Sequence, residues 1–260
     1  MIDTQLHLVD PRFPFATGGY RPNANEVGDL DALIGAMDGS SIGQGVLVQP
    51  SAYGTDNSAI FDALARYPAR FRAIVMTGDP AAVAQVPGVV GVRLNLTDYA
   101  PHAGIATDLA NAILGDGLIL QLQARPEVIA RLLDAVPAGP IVIDHLGRPA
   151  SLSDAALLAG CAARPETWLK VSGGFRVPGA WPDPAPHLKT LVAAFSPTRV
   201  VWGSDWPFLN CDRRPTLQDA VMWAAGLCDL RLASENAAGL FGFETEATSG
   251  NRDTTTVGTA

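Results

Sequence analysis

The chain is poor in lysine and cysteine and has no long apolar run. Lysine occurs only at 170 and 189, and 18 basic residues face 26 acidic ones, a formal net charge of −8 over 260 residues. Phosphate binding draws on clustered Lys and Arg and is opposed by a net anionic field, so nucleic acid is not an expected partner. Cys161, Cys211 and Cys228 are odd in number and lack C-x-x-C spacing. That pattern excludes a disulfide scaffold and fits a reduced, cytoplasmic interior with the thiols as small core residues. No stretch approaches eighteen uninterrupted apolar residues, and Met1-Ile2-Asp3 opens without a basic segment followed by an apolar one. A soluble, unexported protein with no membrane partner is expected.

What is present is an alternation. Short β-branched or Leu-rich runs stand at 2–8, 45–49, 73–77, 89–96, 118–123, 140–145, 168–172 and 199–203. Stretches with helical spacing of apolar residues separate them, such as Leu30, Leu33, Ile34 and Met37, or Val128, Ile129, Leu132 and Leu133. The segment 78–88 allows only a very short helix. Eight β-α units in about 240 residues predict an α/β fold, a (β/α)₈ TIM barrel, rather than an open sheet. No G-x-G-x-x-G follows the first strand, which argues against a doubly wound dinucleotide fold. One domain is expected over 1–243. The segment 244–260, rich in Thr and Gly without apolar periodicity, is expected to be a disordered tail.

In such a barrel the active site forms at the C-terminal ends of the strands, so polar residues that interrupt the apolar runs there are informative. They are Gln5 and His7, Gln49 and Ser51, Arg93 and Asn95, Gln121 and Gln123, Asp144 and His145, Lys170 and Ser172, then Asp205. Residues two apart on a strand share a face, which sends Gln5 with His7, and Arg93 with Asn95, into one mouth. Burying so many hydrogen-bonding groups is unfavourable unless a polar ligand and water satisfy them, so the pattern predicts a small-molecule site. Arg93, Arg148 and Arg176 stand at or just past strand ends, and guanidinium groups suit bidentate capture of carboxylates. An anionic substrate is therefore expected, with Tyr53 and Asn210 as further contacts.

Three motifs carry a resemblance: D-x-Q-x-H-x-x-D-P at 3–11, VIDHLGRP at 142–149 and VWGSDWP at 201–207. They are supported by VQPSAYGTDN at 48–57, GVRLNL at 91–96, LKVSGGFR at 169–176 and ENAAGLFGF at 235–243. The sequence resembles the amidohydrolase superfamily, in particular its lactonase branch, which includes 2-pyrone-4,6-dicarboxylate lactonase and D-galactarolactone isomerase. The resemblance implies a deformed barrel, lactone chemistry and a reactive centre made by His7, His145 and Asp205.

Metal-dependent members of that superfamily carry H-x-H on strand one. Here Gln5 replaces the first His, and 118–124 holds no Lys, Glu or His. A carboxamide is a poor substitute for imidazole, so no metal or other cofactor is expected. Lactone hydrolysis needs an activated water, a stabilised carbonyl oxygen and a proton for the leaving oxygen. Asp205 is the expected general base, with His145, His7 and Gln5 polarising the carbonyl. Two departures weigh against pyrone dicarboxylate as the substrate: His102 stands in 97–104 where that lactonase pattern carries another basic residue, and Phe208 replaces the polar residue usual after D-W-P. Three readings stay open at this point. They are a metal-independent lactonase or lactone isomerase, a metal-dependent amidohydrolase or decarboxylase, and an inert barrel that binds an acidic metabolite.

Overall fold

The computed structural model describes residues 1–18, 20–97 and 103–244; the expectations for His102 and for 245–260 fall outside them. All eight strands form: β1 (Ile2–Leu6), β2 (Gln44–Val48), β3 (Phe71–Val75), β4 (Val89–Asn95), β5 (Ile119–Gln123), β6 (Ile141–Ile143), β7 (Thr167–Ser172) and β8 (Val200–Gly203). They make one parallel sheet in chain order. Seven helices fill the connections: α1 (Leu30–Gly39), α2 (Ser58–Arg66), α3 (Pro80–Ala84), α4 (Ala103–Gly115), α5 (Pro126–Ala135), α6 (Leu152–Gly160) and α7 (Pro186–Ala194). Two more, α8 (Leu217–Ala225) and α9 (Leu230–Phe241), follow β8. The short α3 is the helix that 78–88 could accommodate. Among the described residues no helix is long and apolar enough to cross a membrane.

Local chemistry sets the helix ends. Asp29 caps α1 by accepting from Ala32 N at 2.9 Å. Pro80, Pro126 and Pro186 open α3, α5 and α7, where a missing N–H has no helical partner to lose. Thr216 and Asp219 form a reciprocal capping box on α8, and Gly242 at φ 69 ends α9.

The period-two alternation divides the strands between two cores. Leu6, Leu47, Ala73, Val92, Leu120, Ile143, Leu169 and Trp202 face the helices and join Leu33, Ile60, Ile129 and Leu188 in the larger core. Val46, Val48, Ile74, Ile119, Val142 and Val201 fill the lumen, floored by Phe241 at the end of α9 and by Phe243 just past it. The three cysteines are only partly buried and none is in a disulfide; Cys161 and Cys228 pack against the edge of the larger core, whereas Cys211 does not join it.

The ring closes between β8 and β1 partly beyond the strand ends. Thr4 Oγ1 donates to Trp202 O at 2.7 Å. Asp205 N donates to Gln5 O and His7 N to Trp206 O, both at 2.9 Å. Gly203 permits this approach, since a Cβ there would lie 2.4 Å from Gln5 Cβ.

Candidate active site

β6 ends two residues earlier than the expected 140–145 because Asp144–Gly147 curls into a tight turn, with His145 at φ 50, ψ 43 and Leu146 at φ 58, ψ 16. Arg148 (φ 53) continues it, and a second such segment follows β8 at Asp205 (φ 68), Phe208 (φ 65) and Asn210 (φ 52). Among the described non-glycine residues only Ser41 has a positive φ elsewhere. Each such residue stores about 1–3 kcal/mol, which a fold retains where the surroundings impose it, commonly at functional sites. Here the strained turns carry His145 and Asp205.

Asp205 is fully buried. Its Oδ1 lies 3.0 Å from His7 Nε2, and its Oδ2 accepts from Arg176 Nε. His7 Nδ1 lies 2.7 Å from Val48 O, which can only accept, so Nδ1 carries a hydrogen. Burial pushes the Asp205 carboxyl up, but Arg176, His145 and His7 together outweigh it and hold the group far below the usual carboxylate range.

His145 is buried, and its Nδ1 lies 2.9 Å from Ser172 Oγ. Burial drives its pKa down to about 3, against the pull of Asp205 and Asp144, so the ring is neutral near pH 7. Gly173 (φ 56) lies against both groups: a Cβ there would sit 2.6 Å from His145 Nδ1 and 3.2 Å from Asp205 Oδ2.

Beside this group is a buried cationic network. Arg93 donates to Gln49 O at 2.9 Å and to Gln123 Oε1, and its Nε lies 3.8 Å from Asp144 Oδ2. Lys170, wholly buried, donates to Thr4 O (2.9 Å), Gln5 Oε1 (2.6 Å) and Gln121 Oε1 (2.8 Å), and lies 3.1 Å from Asp144 Oδ1. Gln121 Nε2 donates to Asp144 Oδ2 at 2.9 Å and to Gln5 Oε1 at 3.2 Å. Desolvation lowers the pKa of both Arg93 and Lys170, and Asp144 opposes the shift in each case. Desolvation likewise raises Asp144, but Lys170, His145 and Arg93 reverse it and leave the carboxyl below its usual range.

The structure thus gathers His7, Asp205 and Arg176, with His145 beside them, and Gln5, Gln121 and Arg93 in the adjoining network. Other expected contacts are engaged elsewhere. Tyr53 is buried, with its hydroxyl donating to Asp10 O and accepting from Asp10 N. Gln49 Nε2 donates to Gly54 O and Asp56 O, and Asn95 Nδ2 donates to Ser51 Oγ at 3.0 Å. Asn210 N donates to Glu26 Oε1 at 2.5 Å, tying the loop after β8 to the 20–26 segment. Arg148 is half-buried at the close of the β6 turn. Phe208 packs edge-on against Phe175, whose ring also faces the Arg176 guanidinium 4.9 Å away. Sequence reasoning placed Lys170 and Asp144 at the mouth but gave them no role. The signal was a lone lysine inside an apolar strand, W-L-K-V-S.

The amidohydrolase family pattern matches residues 2–243. The chain belongs to the amidohydrolase family. It is 28% identical to a 4-sulfomuconolactone hydrolase of Rhizobium radiobacter over 225 residues, covering 79% of this chain and 75% of that one. Among solved structures, this amidohydrolase is similar to a Pseudomonas putida protein provisionally assigned as a 2-pyrone-4,6-dicarboxylic acid hydrolase, with 31% identity and a TM-score of 0.81 over 94% of this chain and 98% of that one. A protein of like provisional assignment from Acinetobacter baumannii, with citric acid bound, shows 25% identity and a TM-score of 0.75 over 93% and 99% of the two chains.

Proposed function

We propose that this amidohydrolase opens a lactone of a carboxylated small molecule without a metal ion, with Asp205 as general base. The observation that carries this reading is the fully buried Asp205 carboxylate, held in a strained turn between His7 and Arg176 and beside a neutral His145. The lactone class is supported by the names of the relatives, and an anionic substrate by Arg176 at the same carboxylate.

The donor set does not suit a divalent ion. Position 5 offers a carboxamide whose oxygen already faces an ammonium, His7 Nε2 faces Asp205, and Asp205 Oδ2 faces a guanidinium. Among the described residues no three His, Cys, Asp or Glu side chains gather in a metal-holding group. No step is therefore assigned to a metal.

In this mechanism a substrate carboxylate binds Arg176 and draws it from Asp205, which regains basicity. Asp205 takes a proton from water as the water oxygen bonds to the lactone carbonyl carbon. Neutral His145 and the Gln5 amide donate to the developing oxyanion, each donor contributing about 3 kcal/mol to barrier lowering. The ring C–O bond then breaks, and the proton held at Asp205 passes to the ring oxygen. His7, expected to polarise the carbonyl, is reassigned to holding Asp205, because both its nitrogens are engaged.

The test is a panel of sugar-acid and muconate-type lactones and pyrone carboxylates given to chelator-stripped enzyme, with proton release followed in time. Turnover that survives stripping and falls by about 10³-fold or more in Asp205→Asn, with the variant still folded by circular dichroism at the assay temperature, is the expected result. Turnover that is lost on stripping and restored by metal would overturn the metal-free reading.

A further inference from the structure

Two groups in the lumen have a fixed hydrogen-bonding sense: the Lys170 ammonium only donates and the ionised Asp144 carboxylate only accepts. Between them they determine which way two amides face. Gln121 turns its Nε2 to Asp144 Oδ2 and its Oε1 to Lys170 Nζ. Gln5 Oε1 receives both Lys170 Nζ at 2.6 Å and Gln121 Nε2 at 3.2 Å, so its oxygen is fixed by two donors. Gln5 Nε2 is therefore the free end of that amide. It is fully buried and has no hydrogen-bond partner, although Gln5 is joined to Asp205 across the β1–β8 seam by the Asp205 N to Gln5 O bond. A buried N–H group without a partner is unfavourable, which makes it a donor prepared for an acceptor that arrives with the ligand.

We infer that Lys170 is a positioning residue that orients Gln5 so that its amide N–H bonds, and not its oxygen, meet the developing oxyanion of the substrate. The ordered polarity runs from Asp144 through Gln121 and Lys170 to Gln5, drawing on the turn after β6 and on β5, β7 and β1. Without the ammonium, Gln5 has no reason to keep its oxygen turned away, and a flipped amide would place a lone pair against negative charge. The identity of the oxyanion rests on the lactone reading; the orientation of Gln5 does not.

A double-mutant cycle on the turned-over lactone tests the inference. Lys170→Met, close in length but uncharged, is expected to lower kcat about 10- to 100-fold with KM little changed, and Gln5→Met about 100-fold. In the Gln5→Met background, Lys170→Met should cost less than about threefold further, because its effect passes through Gln5. Losses that simply multiply, or full kcat in Lys170→Met, would overturn it. Should Lys170→Met fail to fold, Gln5→Glu decides the matter. That variant keeps an oxygen on Lys170 and replaces the N–H donor by an acceptor, so wild-type kcat in a folded Gln5→Glu enzyme would sink the proposal. If no lactone is turned over, the function reading falls separately, and the amide is read by NMR. The Gln5 side-chain signal, assigned by its loss in Gln5→Glu, should shift in folded Lys170→Met, or in Gln121→Leu where Lys170→Met does not fold; an unmoved signal would overturn the inference.

Discussion

Asp3 shows how burial alone reshapes a titration. Its carboxyl accepts from Gln5 N at 2.9 Å and Ser204 N at 3.0 Å through one oxygen, while the other has no hydrogen-bond partner. Desolvation dominates, and the pKa is raised to about 6. A carboxyl that holds its proton more tightly when folded favours the native state at low pH and loses that advantage as pH climbs from about 4 through about 6. The penalty at neutral pH is about 3 kcal/mol. In urea unfolding, the stability of Asp3→Asn relative to wild type should therefore rise by about that amount between pH 4 and pH 7; a flat difference would refute the assignment. His145 has the opposite slope. Its pKa, lowered to about 3, makes acid destabilising as pH falls below 6.5, and His145→Gln should flatten that part of the stability curve.

At the level of elements, the strands were legible because period-two runs and helical spacing are local signals, and the approach of Asp205 and His145 followed from barrel topology. The early end of β6 was not. Left-handed backbone at His145 and Leu146 is imposed by tertiary packing, and those two residue types give no local notice of it. The other ends of the Tyr53 and Gln49 hydrogen bonds were equally hidden, because a side chain that turns to loop backbone looks in sequence like one that faces a ligand. Lys170 read as an oddity, since its four oxygen neighbours come from three other segments of chain. The turn after β7 gives a direct test. Gly173→Ala introduces a Cβ against His145 and Asp205 at positive φ, so it should cost about 1–2 kcal/mol in backbone strain and lower kcat/KM about 100-fold. Kinetics and urea unfolding on the same preparation separate the two effects.

Across the whole molecule, the polar candidate site and an apolar plug occupy opposite ends of one lumen. The upper end holds two carboxylates, Asp144 and Asp205, against three cations, Lys170, Arg93 and Arg176. The lower end is apolar and closed by Phe241 and Phe243. Phe241→Ala should thus destabilise by about 3–5 kcal/mol while leaving KM for any turned-over lactone close to wild type, as measured by denaturant midpoint and steady-state kinetics. The seam between β8 and β1 has a further consequence for any dissection of the barrel. Gln5 and His7 take their backbone partners, Asp205 and Trp206, from the opposite end of the strand order. A fragment that stops before Asp205 carries every arginine and histidine named in the site but neither the proposed base nor the backbone partners that close the ring, so no lactone turnover is expected from it.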